Sequence, residues 1–178
     1  KVADLDVILS YPIFQNSDAI IRSTKVVNRG ASDLILNRAF SFNVDLPQAA
    51  DYRFLQLAGS WGNERNIRTT PLHQGTQSIE STRGASSHFE NPFLALVSPN
   101  TDERQGEVYG FSLVYSGSFK MSAELDMQAF ARVQGGIHPQ NFSWKLCPGE
   151  SFTAPEAVLV FSDHGLNAMT HIYHELYQ

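Results

Sequence analysis

The sequence predicts an all-β domain, a sandwich or barrel of antiparallel strands, followed by one short C-terminal helix. Three observations predict it. Apolar residues recur at every second position along most of the chain, which is the period of a strand with one buried and one wet face. Turn-forming residues punctuate these runs at short intervals, as in sandwiches and barrels rather than βαβ units. Only after Ser162 does the apolar spacing lengthen to that of a helix.

Taken in order, strands are expected at 5–13 and 19–28, separated from the next run by the turn signal Asn28–Gly30. Leu34, Leu36, Phe40, Phe42, Val44 and Leu46 alternate with polar residues, interrupted only at Arg38, and the run stops before Pro47. Further strands are expected at 53–58, 93–98 and 107–116, with Ser98–Pro99–Asn100 and Ser116–Gly117 as turns. The clearest alternation is Met121, Ala123, Leu125, Met127 and Ala129 against Ser122, Glu124, Asp126 and Gln128. A strand at 129–134 then meets the turn signal Gly135–Gly136, and another at 157–161 follows Pro148–Gly149. Ser162 and Asp163 are candidate N-caps for a helix whose Leu166, Met169, Tyr173 and Leu176 share a face. No fixed-period repeat is visible, which argues against a propeller or solenoid.

Composition narrows the class of partners. A chain of 178 residues with 42% hydrophobic and 17% charged residues can bury a real core and is not disordered. The net charge of −5 and the lack of any Lys/Arg run argue against a nucleic-acid partner. The same lack, with no apolar stretch of about 20 residues, argues against a membrane. Cys147 is the single cysteine, so no internal disulfide is expected, and a cytoplasmic location is the simpler reading. The chain begins at Lys1 with neither an initiator Met nor a signal peptide and reads as an excised or processed piece.

Complete catalytic sets are not found. His171, His174 and Glu175 form His-x-x-His-Glu rather than the metalloprotease order, and read as a solvated helix face; no metal or cofactor is expected. Cys147 beside Pro148 has no evident base, and there is no nucleophile elbow or phosphate loop. Asn141-Phe142-Ser143 matches the glycosylation pattern but stands without a secretion signal. Two polar–aromatic segments remain. Trp61 beside Glu64 and Arg65 offers an aromatic face and charged groups of the kind that sugar sites use, and equally fits a Trp that plugs the end of a sandwich. His88 with Glu90 and Asn91 reads either as a polar loop site or as a turn cap ahead of Pro92, while Arg83–Gly84 reads as a backbone feature.

Four spaced segments carry a family resemblance. Ser86–Leu96 ("SSHFENPFLAL"), Gly106–Gly117 ("GEVYGFSLVYSG"), Pro148–Ser162 ("PGESFTAPEAVLVFS") and the closing "GLNAMTHIYHELY", with "LAGSWGNER" around Trp61, resemble the N-terminal domain of glycoside hydrolase family 36 α-galactosidases. The resemblance implies a β-supersandwich of large antiparallel sheets packed face to face, truncated at its N-terminus. It implies an accessory domain over 1–161 and a linker helix over 162–178 that leads to a (β/α)8 barrel outside this chain. The activity implied is retaining hydrolysis of terminal α-galactosides such as melibiose and raffinose by two aspartates in that barrel. The family's Lys-Trp-Asp motif is absent here, so no catalytic residue is assigned and the chain alone is expected to be inert. Trp61, Glu64, Arg65, His88 and Asn91 are nominated as the surface nearest the barrel or sugar. Phe89, Glu90 and Cys147 depart from the expected pattern. The implied partners are the barrel, the galactoside indirectly, and further subunits.

Two other readings compete. A free-standing carbohydrate-binding module would gather Trp61, Tyr109, Tyr115 and Trp144 into one aromatic platform. A purely structural or oligomer-forming piece would expose a contiguous apolar patch.

Overall fold

A computed structural model describes residues 4–178. Lys1 to Ala3, where the expected sandwich domain begins, lie outside the described residues. Fifteen strands and one helix follow: β1 Leu5–Ser10, β2 Ile13–Phe14, β3 Ser17–Asn28, β4 Leu34–Leu36, β5 Phe40–Leu46, β6 Arg53–Ser60, β7 Asn63–Pro71, β8 Gly75–Ser81, β9 Glu90–Val97, β10 Val108–Leu113, β11 Phe119–Leu125, β12 Ala131–Ile137, β13 Trp144–Leu146, β14 Ser151–Thr153, β15 Ala157–Ser162 and α1 Gly165–Tyr177. The all-β class with a terminal helix is as the sequence predicts.

The strands form a large antiparallel sheet ordered β1-β3-β15-β10-β9-β6-β7, with β2 and β14 also pairing β3. A second sheet, β11-β12-β5, packs against one face of it, and β8 runs beside β11. The core lies between them. Phe54, Leu94, Leu96, Phe111 and Leu113 of the large sheet meet Phe42, Phe119, Met121, Ala123 and Val133 of the smaller one, with Ile79 from β8. Phe42 and Phe111 stack at 5.6 Å. The alternate residues of the large sheet, among them Ala95, Val97, Val108, Val158 and Val160, point to its other face and bury Met169 and Tyr173 of α1. The protein is thus three layers, sheet on sheet on helix, and α1 presents the face that its 3.6-residue spacing dictates.

Several expectations are corrected. The single run over 34–46 divides between β4, which pairs β13, and β5, which pairs β12, because the chain leaves one sheet for another across Asn37–Ala39. The alternation from Met121 stops at Leu125; Asp126 Oδ1 accepts the N–H groups of Gln128 and Phe130, closing a turn that leaves Met127 exposed. Gly135–Gly136 is not a turn but lies within β12 near its end, at a register shift against β5. A Cβ on Gly135 would lie 2.8 Å from Met121 Cγ and 2.9 Å from Phe42 Cε1, so glycine serves close sheet packing there.

Neither Ser162 nor Asp163 caps α1. Ser162 ends β15, and His164 is the N-cap without a side-chain cap bond. The first helical N–H groups go instead to backbone oxygens of the 102–106 loop: Gly165 to Gly106, Leu166 to Asp102 and Asn167 to Glu103, at 3.0–3.1 Å. Gly165 adopts φ +78° and has Asp102 O, Gln105 N and Arg104 N of the same loop within 2.8 Å of where a Cβ would stand. No helix among the described residues is long and apolar enough to cross a membrane.

Candidate functional site

The Trp61 segment is the tip of the β6–β7 hairpin at one edge of the large sheet. Ser60 pairs Asn63, leaving Trp61 and Gly62 as a two-residue loop, and Gly62 supplies the positive φ (75°) that the turn requires. Trp61 is 88% exposed, so it plugs no core. Beyond it the β6–β7 register slips: Ala58 pairs Asn66 but Ser60 pairs Asn63, so Glu64 and Arg65 together oppose Gly59. Arg65 takes φ 57° at this bulge, and a Cβ on Gly59 would meet Asn63 O at 2.3 Å.

On the other side of β6 the pairing with β9 slips as well, from Gln56↔Leu94 to Ala58↔Glu90. Asn91, Pro92 and Phe93 therefore oppose Leu57 alone. Pro92 has no N–H to give the ladder, and the side-chain amide Nδ2 of Asn91 donates to Leu57 O at 3.3 Å. Gly59 N–H donates to Phe89 O at 3.1 Å, which ties the hairpin base to the 82–89 loop.

Successive side chains of β9 then diverge. Asn91 points to the α1 side, where with Arg65 it borders a groove of about 510 Å3 floored by Leu55, Leu57, Ile67 and Phe93 and walled by Met169 and Tyr173. Glu90 points to the opposite side, where Gln56 Nε2 reaches both of its carboxylate oxygens at 3.3 and 3.4 Å. Burial holds the Glu90 carboxyl above its usual range, and the nearby Arg68 charge opposes that shift. His88 packs on Phe89 with ring centroids 4.4 Å apart and planes tilted by 36°, and the Arg83 guanidinium lies 4.3 Å from the centre of the same ring.

The five nominated residues thus occupy one rim of the sheet but not one pocket. Trp61 stands at the tip, Glu64 and Arg65 are exposed on the bulge, Asn91 fastens it, and His88 belongs to an aromatic pair on the next loop. Gln56 and Arg68, which meet Glu90, carry no sequence signal beyond being polar residues in a strand. The proposed platform of four aromatics does not form. Tyr109 lies at the far end of the sheet against Phe161 and Tyr52, and Trp144 packs on Phe152 at 5.1 Å. His171 is exposed, and no group of three His, Cys, Asp or Glu among the described residues fits a metal ion.

Among the described residues, exposed apolar side chains include a set along the α1 groove, where Ile67 is 59% and Tyr177 55% exposed, and another along the β1–β2 edge, where Ile13 is 75% exposed beside Val7, Leu9, Tyr11 and Phe14. A sandwich with an aromatic hairpin at its rim and exposed apolar side chains has the features of an accessory β-domain.

The chain belongs to the glycosyl hydrolase family 36 N-terminal domain, which it matches over residues 1–147. It is 53% identical over 98% of its length to α-galactosidase AgaA of Geobacillus stearothermophilus and 43% identical over 96% to α-galactosidase 2 of Hypocrea jecorina. It covers 24% and 23% of those proteins, so it spans about a quarter of the length of the curated relatives it matches. The fold agrees. The structure of AgaA in complex with stachyose superposes with a TM-score of 0.94 at 53% identity, over 97% of this chain and 24% of that one. The α-galactosidase from Lactobacillus brevis gives 0.96 at 41% identity, over 99% of this chain and 24% of that one.

Proposed function

We propose that this chain is the non-catalytic N-terminal domain of an α-galactosidase, in which hydrolysis of terminal α-galactosides of the melibiose and raffinose type takes place in a separate barrel. The observation that carries the reading is the 53% identity to AgaA across nearly the whole chain, at a quarter of that enzyme's length. Residues 1–161 serve as the accessory sandwich and 162–178 as the helix leading toward the barrel. The uncovered apolar faces support packing against the barrel and against further subunits of a homo-oligomer. The single cysteine and the absence of any need for a disulfide support a cytoplasmic enzyme.

Within that assembly, Trp61 is the group that meets the sugar or the pocket wall around it, since an exposed indole at a rigid turn suits the C–H face of a pyranose. Glu64, Arg65, His88 and Asn91 form the polar surroundings of that contact.

The test uses the full-length protein that carries this chain. It should hydrolyse a nitrophenyl α-galactoside and raffinose, while the 178-residue chain alone should not. Trp61→Ala in the full-length enzyme should raise KM for raffinose roughly threefold to tenfold with a smaller change in kcat. Activity on a β-galactoside in place of the α-anomer would overturn the assignment, and an unchanged KM would remove Trp61 from the sugar contact. A free-standing binding module is disfavoured, because the aromatics it needs are dispersed over the sheet.

A further inference from the structure

A tryptophan on a two-residue loop contributes to recognition only when the loop holds one orientation, and the regular register of the hairpin breaks at Gly59, one pair short of the loop that carries Trp61. Both ladders of β6 slip just below the tip, between Gln56 and Ala58 toward β9 and between Ala58 and Ser60 toward β7. The two slips interrupt both regular ladders alongside Ala58–Ser60 and leave residues at the bulges outside the regular pairing. Here the slack is taken up by consecutive residues of one strand. Asn91 reaches under β6 on the α1 side and satisfies Leu57 O at 3.3 Å. Glu90 reaches over it on the core side and accepts from Gln56 Nε2 at 3.3 and 3.4 Å. Because β9 side chains alternate, neighbours in sequence grip β6 from opposite faces. Gly59, with its N–H on Phe89 O and no room for a side chain against Asn63 O, closes the base.

We infer that Glu90 and Asn91 are positioning residues, a two-sided clamp on β6 that fixes the presentation of Trp61. The inference rests on the assignment of Trp61 to the sugar contact only for its functional consequence; the clamp itself is a statement about geometry. It also gives the Asn91–Pro92 pair a reason, since the proline removes a ladder donor and the asparagine side chain supplies one.

The chain contains two tryptophans, Trp61 and Trp144, so 5-fluorotryptophan labelling gives two 19F resonances. Both should be single and sharp in the parent chain. Asn91→Ala and Glu90→Ala should broaden or split the Trp61 resonance and leave that of Trp144 unchanged, and Glu90→Gln, which keeps an acceptor for Gln56, should restore the sharp line. Should Asn91→Ala fail to fold, Asn91→Asp settles the matter, because it keeps the size but has no N–H for Leu57 O, and it should split Trp61 alone.

In the full-length enzyme, Asn91→Ala should raise KM for raffinose by about the same roughly threefold to tenfold factor as Trp61→Ala, and the double variant should do no more. A Trp61 resonance that stays sharp in the Asn91 and Glu90→Ala variants overturns the clamp and leaves the sugar assignment standing. A KM unmoved by Trp61→Ala, with the resonance split as expected, overturns the sugar assignment and leaves the clamp.

Discussion

Gly110 of β10 lies directly beneath α1, and its lack of a side chain sets how closely the helix approaches the sheet. A Cβ there would stand 2.8 Å from Met169 Sδ, 3.0 Å from Tyr173 Oη and 3.2 Å from Tyr173 Cε2, all inside the ~3.5 Å at which such atoms settle. The Met169 thioether can swing aside. The Tyr173 ring cannot easily do so, because its hydroxyl donates to Val158 O at 3.1 Å in the buried layer. Gly110→Ala is therefore expected to cost about 1–3 kcal/mol by overpacking. Met169→Ala removes a nearly fully buried side chain and should cost about 2–5 kcal/mol by leaving a cavity. Together the two changes partly cancel, since the new methyl enters space the thioether has vacated. The double variant should be less destabilised than the sum of the singles by about 0.5–2 kcal/mol. Urea and thermal melts of the four proteins measure this, with each kcal/mol worth about 2–4 °C in Tm for a domain of this size. Additivity within about 0.5 kcal/mol would refute the argument that Gly110 is a spacer for α1.

Tyr173→Phe keeps the packing and deletes only the bond to Val158 O, so it should cost about 1–2 kcal/mol in a urea melt; no loss would show that the bond adds nothing net. Glu90 gives a pH signature. Its carboxyl is held above the usual range by burial, so the folded state binds the proton more tightly than the unfolded chain. Its contribution to stability is therefore full below the unfolded value near 4.5 and is lost as pH rises through the folded one. Relative to the parent chain, Glu90→Gln should gain stability between pH 4 and pH 7, read as a Tm difference that grows with pH; a difference independent of pH would contradict the assignment.

The fold was legible where strands set apolar residues against a buried layer. β5 and β11 alternate with one face in the core, while β6, β10 and β15 of the middle layer send alternate apolar residues to both buried layers. Helix α1 was legible for the same reason at the longer period. What escaped was structure without that contrast. β7, reading Asn-Glu-Arg-Asn-Ile-Arg-Thr-Thr-Pro, is exposed along almost its whole length, so no alternation marks it as a strand. Gly135–Gly136 looks like a turn because glycine serves both turns and close packing, and only the neighbours in space distinguish the two. At the site, Trp61 and its turn could be read locally, but the grip of Glu90 and Asn91 on β6 depends on a register slip between strands more than thirty residues apart in sequence. Residue chemistry and the family resemblance both singled out the segment; the strand pairing explains it.

The seating of α1 on backbone carbonyls of the 102–106 loop, rather than on a capping side chain, has a geometric consequence. A helix of 13 residues is a rod of about 20 Å, so a tilt of about 5° at Gly165 displaces its far end by nearly 2 Å. The loop's length and shape thus act as the elevation screw of a lever. Its shape is held by Gly106 at φ +95°, where a Cβ would meet Thr101 at 2.4 Å, and by Asp102 Oδ1, which accepts the N–H groups of Arg104 and Gln105, so a single inserted residue would re-aim the far end of the helix.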